Sequence, residues 1–308
     1  MTPSNADRDS SPAAEAASAG ARSAPRPFCW SVRRELWENR SLYVAPLIAA
    51  GVVLFGSAMS TMFAAERMRA ISVPDPARQG AMIAAGFDFA AFVIVVTGVI
   101  VGAFYCLGAL HNERRDRSIL FWKSLPVSDP TTVLAKASVP MLILPVIVFG
   151  VVVAMQLVML LLGAVILPMH GVSAANLWAH APVLRDLPGL AYALIALALW
   201  YAPIWGWLLL VSGWARRAPF LWAVLPPLAL CIVEKIAFDT TSLFSLLKYR
   251  LGGFTEAFTV NGPGGGPFGA PQPDPMGFLG TPGLWEGLAV AAAFLAAAVW
   301  QRRYREPT

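Results

Sequence analysis

HNERRDRSILFWKSLPVSDPTTVLAK, residues 111–136, is the densest run of charge in a chain of 308 residues that is otherwise mostly apolar. An apolar run stands on either side of it, about Gly86–Leu110 before and about Val139–Leu167 after. About 20 residues rising 1.5 Å each match the roughly 30 Å hydrocarbon core of a bilayer. In lipid a segment must satisfy its own backbone polar groups, and these runs lack the alternation of barrel strands, so they read as helices. The expected fold class is an all-α polytopic membrane protein.

The whole chain agrees. It is 57% hydrophobic and 13% charged, with a mean hydropathy of +0.62, far from the roughly 25% charged residues of soluble proteins. Further apolar runs stand at about Tyr43–Phe63, Gly189–Trp214, Phe220–Phe238 and Leu284–Trp300, which makes six expected transmembrane helices. Pro140 and Pro145 are expected to kink the third. Residues 1–27 are rich in Ala, Ser and Pro and lack an apolar signal core, so they read as a disordered tail. Residues 28–305 form the membrane domain. At its start, FCWSVRRELWENRS (28–41) sets Trp30, Val32, Leu36 and Trp37 against Arg33, Arg34, Glu38 and Arg40. That pattern suits a helix in the plane of the membrane interface, the alternative being an extension of the first span.

Net charge is +5, but the positive residues cluster at the ends of apolar runs, which is a topogenic pattern and not a nucleic-acid footprint. With both termini in the cytoplasm, sixteen of the 23 Lys and Arg fall on the inner side. Arg216–Arg217 and Arg302–Arg303 abut span ends there. Cys29, Cys106 and Cys231 fall in no outer loop, so no disulfide framework is implied. In the long outer segment 239–283, Leu243, Leu246, Leu247 and Leu251 have helical spacing, and Gly252–Gly253 is a stop. That helix would lie on or dip into the outer leaflet. NGPGGGPFGAPQPDP (261–275) reads as loop.

Within residues 111–136, Ser128–Asp129–Pro130 is a helix start, with Asp129 as the expected cap. The third helix therefore begins before its apolar run. Ahead of it, Asp116–Leu125 places Ile119, Leu120, Trp122 and Leu125 beside Arg115, Arg117 and Lys123 and ends at Pro126. This is a short helix with Phe121 and Trp122 available to a partner, or else a topogenic basic loop. Among ionisable residues in or near spans, Lys235 pairs with Asp239 at the headgroup level, or Glu234 with Asp88 or Glu286 lines a pathway. His170 and His180 share a loop with too few ligands for a metal. No catalytic set, cofactor motif or phosphate-binding G-x-x-x-x-G-K-[ST] occurs in the sequence, and no enzyme activity is expected of this chain.

ERRDRSILFWKSLPVSDPTTVLAK resembles the loop between the second and third helices of type-two ABC-transporter permeases, the membrane subunits of ABC exporters. RRELWENRSLYVAPL is similar to the elbow helix of that family, and APIWGWLLLVSGWARRAPFLWAVLPPLALCIVEKI to its fourth and fifth spans. The resemblance covers roughly residues 28–305. It implies a coupling helix over 116–125 that docks on a separate cytosolic ATPase subunit, with Arg115, Arg117, Phe121, Trp122 and Lys123 as the docking residues. It also implies a second permease subunit, the same or different, export as the direction, and a bacterial inner membrane as the location. A stand-alone secondary transporter would carry ionisable residues near the bilayer midplane, where this sequence has none. A membrane scaffold is the other alternative.

Overall fold

The computed structural model describes residues 27–70, 76–115, 128–169, 175–180, 187–252 and 275–304. Every regular element among them is helical. In chain order these are α1 (Pro27–Glu38), α2 (Ser41–Ala70), α3 (Pro76–Ala109), α4 (His111–Arg115), α5 (Asp129–Ser138), a π turn (Val139–Ile143) and α6 (Leu144–Met169). There follow α7 (Ala175–His180), α8 (Leu187–Trp200), α9 (Ala202–Trp214), α10 (Pro219–Phe238), α11 (Ser242–Gly252), α12 (Pro275–Gly280) and α13 (Pro282–Tyr304). Five helical paths are long and apolar enough to cross a membrane, or six if the bent pair α8–α9 counts as one.

Proline sets the irregularities. In the third span α5, the π turn and α6 form one path of 41 residues. Pro140 has no N–H for the Lys136 carbonyl, which Val139 N takes instead, and Leu144 N then reaches back to Val139 O. The chain absorbs the proline as a widened turn and runs on, where the sequence had suggested a kink. The fourth span does break, bending by 48° between α8 and α9. There Ile204 N bonds to Tyr201 O at 2.9 Å and leaves the Trp200 carbonyl free for another donor. In α10, Pro227 cannot donate to Ala223 O, and the Trp207 indole N–H fills that place at 3.0 Å. The indole is a side-chain repair of a backbone bond that lipid cannot satisfy.

The core joins α2, α3, the π turn, α6, α8 and α9 through residues such as Leu42, Ile94, Tyr105, Val139, Val152 and Leu209. α13 packs along α9. Gly206 permits this approach, since a Cβ there would stand 3.2 Å from Ala291 O. α10 is different: Ala223 is its one buried residue. Leu225, Ile232, Ile236 and their neighbours are exposed along its length.

Two segments read as loop carry more structure than expected, and one expected helix is present. α7 and α12 are short helices in stretches read as loop or loop edge. The long outer segment does form a helix, α11, which starts at Ser242. Residues 253–274, which include most of the glycine-rich stretch, lie outside the described residues.

Candidate functional site

The first and last described helices meet at one end of the bundle, and what joins them is charge. α1 turns Glu35 inward while Trp30 and Trp37 stay exposed, with the Arg33 guanidinium 4.6 Å from the Trp37 ring centre. α4, just past the end of the second span, supplies Glu113; α5 supplies Lys136; the last turn of α13 supplies Arg302. All four of these charged residues are buried, Glu35 and Lys136 at 2% exposure.

Their contacts form one connected set. Lys136 Nζ lies 2.7 Å from Glu35 Oε1 and 3.1 Å from Glu113 Oε1. Arg34 Nη2 reaches Glu113 Oε1 at 3.0 Å and Glu35 Oε1 at 3.3 Å. Arg302 uses its fork on two carboxylates, Nη1 to Glu113 Oε2 at 2.7 Å and Nε to Asp129 Oδ1 at 3.0 Å. The Tyr105 hydroxyl donates to Glu35 Oε2 at 2.9 Å. Arg34, Lys136 and Arg302 balance Glu35, Glu113 and Asp129, and Glu38 Oε1 forms an ion pair at 3.1 Å from Arg34 Nε at the rim.

Asp129 is free for this role because Ser128 is the cap. Ser128 is extended, at φ −71 and ψ 149, and its Oγ accepts from Thr131 N at 3.4 Å. Asp129 and Pro130 then occupy the first turn, where a carboxylate also favours the helix dipole. The expectation that Asp129 itself caps the helix is thus corrected by one residue.

A second set of bonds fixes the exit of the second span. Ser212 Oγ accepts from Leu110 N and His111 N, each at 2.9 Å, where α3 gives way to α4. His111 Nδ1 donates to the Ala215 carbonyl at 3.1 Å, and Arg114 Nη1 donates to the Gly213 carbonyl. The second-span exit is therefore bound to the fourth-span end on one side and to the charge cluster on the other.

Of the docking residues expected from sequence, Arg115 ends α4 and is exposed. Arg117, Phe121, Trp122 and Lys123 lie outside the described residues, as does the expected helix 116–125. The flanks of that segment are described, and Arg302 touches both, through Glu113 and Asp129.

The pathway candidates are not brought together by any described contact. Glu234 is the cap of α11: its carboxylate accepts from Thr240 Oγ1 at 2.8 Å, Ser242 N at 2.8 Å and Leu243 N at 2.9 Å. Lys235 pairs with Asp239 at 2.6 Å in the open, as one of the two readings held. Asp88 stands half-buried on α3 and Glu286 exposed on α13. Nearby, Arg250 holds α11 to the bundle by donating to Gly283 O at 2.8 Å and to the freed Trp200 O at 3.3 Å. No group of His, Cys, Asp and Glu among the described residues could hold a metal.

The buried cluster was missed in the sequence. Its one outward signal is Lys136, a cation in the run VLAKASVP that precedes the third apolar span. A lysine facing packed side chains needs a carboxylate, but spacing does not say which.

Comparison with family models, with curated proteins and with solved structures gives no match for this chain.

Proposed function

We propose that the chain is the membrane-spanning permease subunit of an ATP-driven ABC exporter, working with a separate cytosolic ATPase and a second permease subunit. The observation that carries this reading is the buried charge cluster at the base of segment 116–127. Burying ions costs several kcal/mol each, and apolar packing is often as stable as a buried ion pair. Such a cluster is better suited to fixing geometry than to adding stability.

Here the geometry concerns the segment that resembles a coupling helix. Its two flanks, α4 and α5, are held to each other and to α1 and α13. A push on residues 116–125 by a closing ATPase dimer would reach the second and third spans together, because neither flank is free to yield alone. α1 would serve as the elbow helix, with Trp30, Trp37 and Arg33 at the membrane interface. The exposed apolar length of α10 suits contact with lipid or with the second subunit. The end bearing the cluster would face the cytoplasm, with both termini there and the membrane being the bacterial inner membrane.

The test is purification from the native membrane with identification of what remains bound. A stoichiometric ATPase is expected, lost in a Trp122→Ala, Arg117→Glu double variant. The reading fails if no ATPase copurifies and ATP leaves every transport assay unchanged.

A further inference from the structure

α1 packs on α5 with Glu35 turned into the buried cluster, which leaves its other side facing outward. Trp30, Arg33 and Trp37 stand three and four residues apart, so they share one face of the helix, and all three are exposed. The Arg33 guanidinium carbon lies 5.7 Å from the Trp30 ring centre and 4.6 Å from that of Trp37. Two indoles flank one cation. Neither Arg33 nor Arg40 has a carboxylate partner among the described residues.

The cluster explains why this surface is so basic. Of the acidic residues at this end, Glu35, Glu113 and Asp129 are drawn into pairs with Arg34, Lys136 and Arg302. Among the described residues that leaves exposed Arg33, Arg40, Arg115, Arg216, Arg217 and Arg303 against an exposed Glu38, which Arg34 already pairs. Arg40 also sets charge against an apolar track. Val44 N bonds to Arg40 O at 3.0 Å, so Arg40 stands one helical turn before Val44. Val44, Leu47, Ile48 and Phe55 continue along that side of α2, and all are exposed. A soluble anion would use the arginines and leave the track empty. A phospholipid uses both.

We infer that this face of α1, with Arg40 and the track on α2, binds anionic phospholipid. Arg33 and Arg40 engage headgroup phosphate, and an acyl chain lies along Val44, Leu47, Ile48 and Phe55. A guanidinium offers phosphate two parallel N–H donors, and indoles settle at headgroup level beside it. The inference rests on α1 lying at the membrane interface, as in the reading above, but not on the ATPase, since lipid binding needs this chain alone.

Phosphatidylglycerol and phosphatidylcholine, each carrying a diazirine in the acyl chain, are direct probes. The purified full-length protein is reconstituted in phosphatidylcholine vesicles with a trace of one probe, irradiated, and its adducts are mapped by mass spectrometry. The phosphatidylglycerol probe should mark residues 44–55 in preference to the phosphatidylcholine probe, and unlabelled phosphatidylglycerol should compete it away. Arg33→Gln and Arg40→Gln should each lower that preference about fivefold, from the roughly 1 kcal/mol that one basic residue contributes at an anionic surface. Arg33→Lys should lose less. Arg216→Gln with Arg217→Gln, on another helix pair at the same end, should leave labelling of residues 44–55 unchanged. Equal labelling by the two probes, an equal loss in the Arg216 and Arg217 variant, or a track without adducts because a second copy covers it, overturns the inference.

Discussion

Arg302 Nη1 lies 2.7 Å from Glu113 Oε2, an ion pair that joins positions 189 residues apart. The same guanidinium donates through Nε to Asp129 Oδ1 at 3.0 Å. The last helix thus fastens the end of the second span to the start of the third. Arg302→Ala should destabilise the folded protein by about 2–3 kcal/mol, because two carboxylates lose a charge-assisted donor. Arg302→Lys should recover only part of this, since an ammonium lacks the fork that spans both acceptors. Thermal unfolding of the detergent-solubilised variants measures the loss. On the permease reading, Arg302→Ala should also lower substrate-stimulated ATP hydrolysis in the assembled complex while the ATPase stays bound.

Lys136 is the more severe position. It neutralises Glu35 and Glu113 from within the packed interior. Lys136→Met leaves those carboxylates short of a cation, and an unpaired buried charge costs about 3–5 kcal/mol. Adding Glu35→Gln should return much of that stability, because the net charge of the cluster is restored. A denaturation series across the wild type, both single variants and the double variant gives the coupling. Additive losses would mean that the two residues do not interact.

The apolar runs were legible because their signal is length and composition, which survive without tertiary information. Span starts and stops followed from the same signal, with Pro219 and Phe238 bounding α10 close to expectation. The break at Tyr201 was not legible, since Pro203 reads the same whether a helix absorbs it, as at Pro140, or breaks. What separates them is a partner for the freed carbonyl. Arg250 takes Trp200 O from a distant helix, and no local pattern announces it. The charge cluster was hidden for a related reason. Arg34, Glu113 and Arg302 sit beside Arg33, Arg114 and Arg303 in strings that look like solvated topogenic charge. Which member of each pair turns inward is decided by helix rotation in the packed bundle.

Gly287 tests the docking of α11. A Cβ there would fall on the Arg250 guanidinium, so Gly287→Ala must push that side chain out. Arg250 would then lose Gly283 O and its place 4.7 Å from the Trp200 ring centre. Faster amide hydrogen exchange is expected across residues 242–252, with the charge cluster at the opposite end unchanged. The conservative Arg250→Lys should show a smaller increase in the same segment.

Trp207 and Pro227 form a testable pair through the Ala223 carbonyl. Trp207 Nε1 donates to Ala223 O, the carbonyl that Pro227 cannot serve. Trp207→Phe keeps most of the ring but leaves a buried carbonyl without a donor, a cost of about 1–3 kcal/mol. Pro227→Ala restores the backbone N–H one turn later and can close the normal helical bond. In that background Trp207→Phe should cost about 1 kcal/mol less than in the wild type. Thermal unfolding of the four proteins measures this difference directly. Equal costs in both backgrounds would show that the indole bond does not stand in for the missing backbone donor.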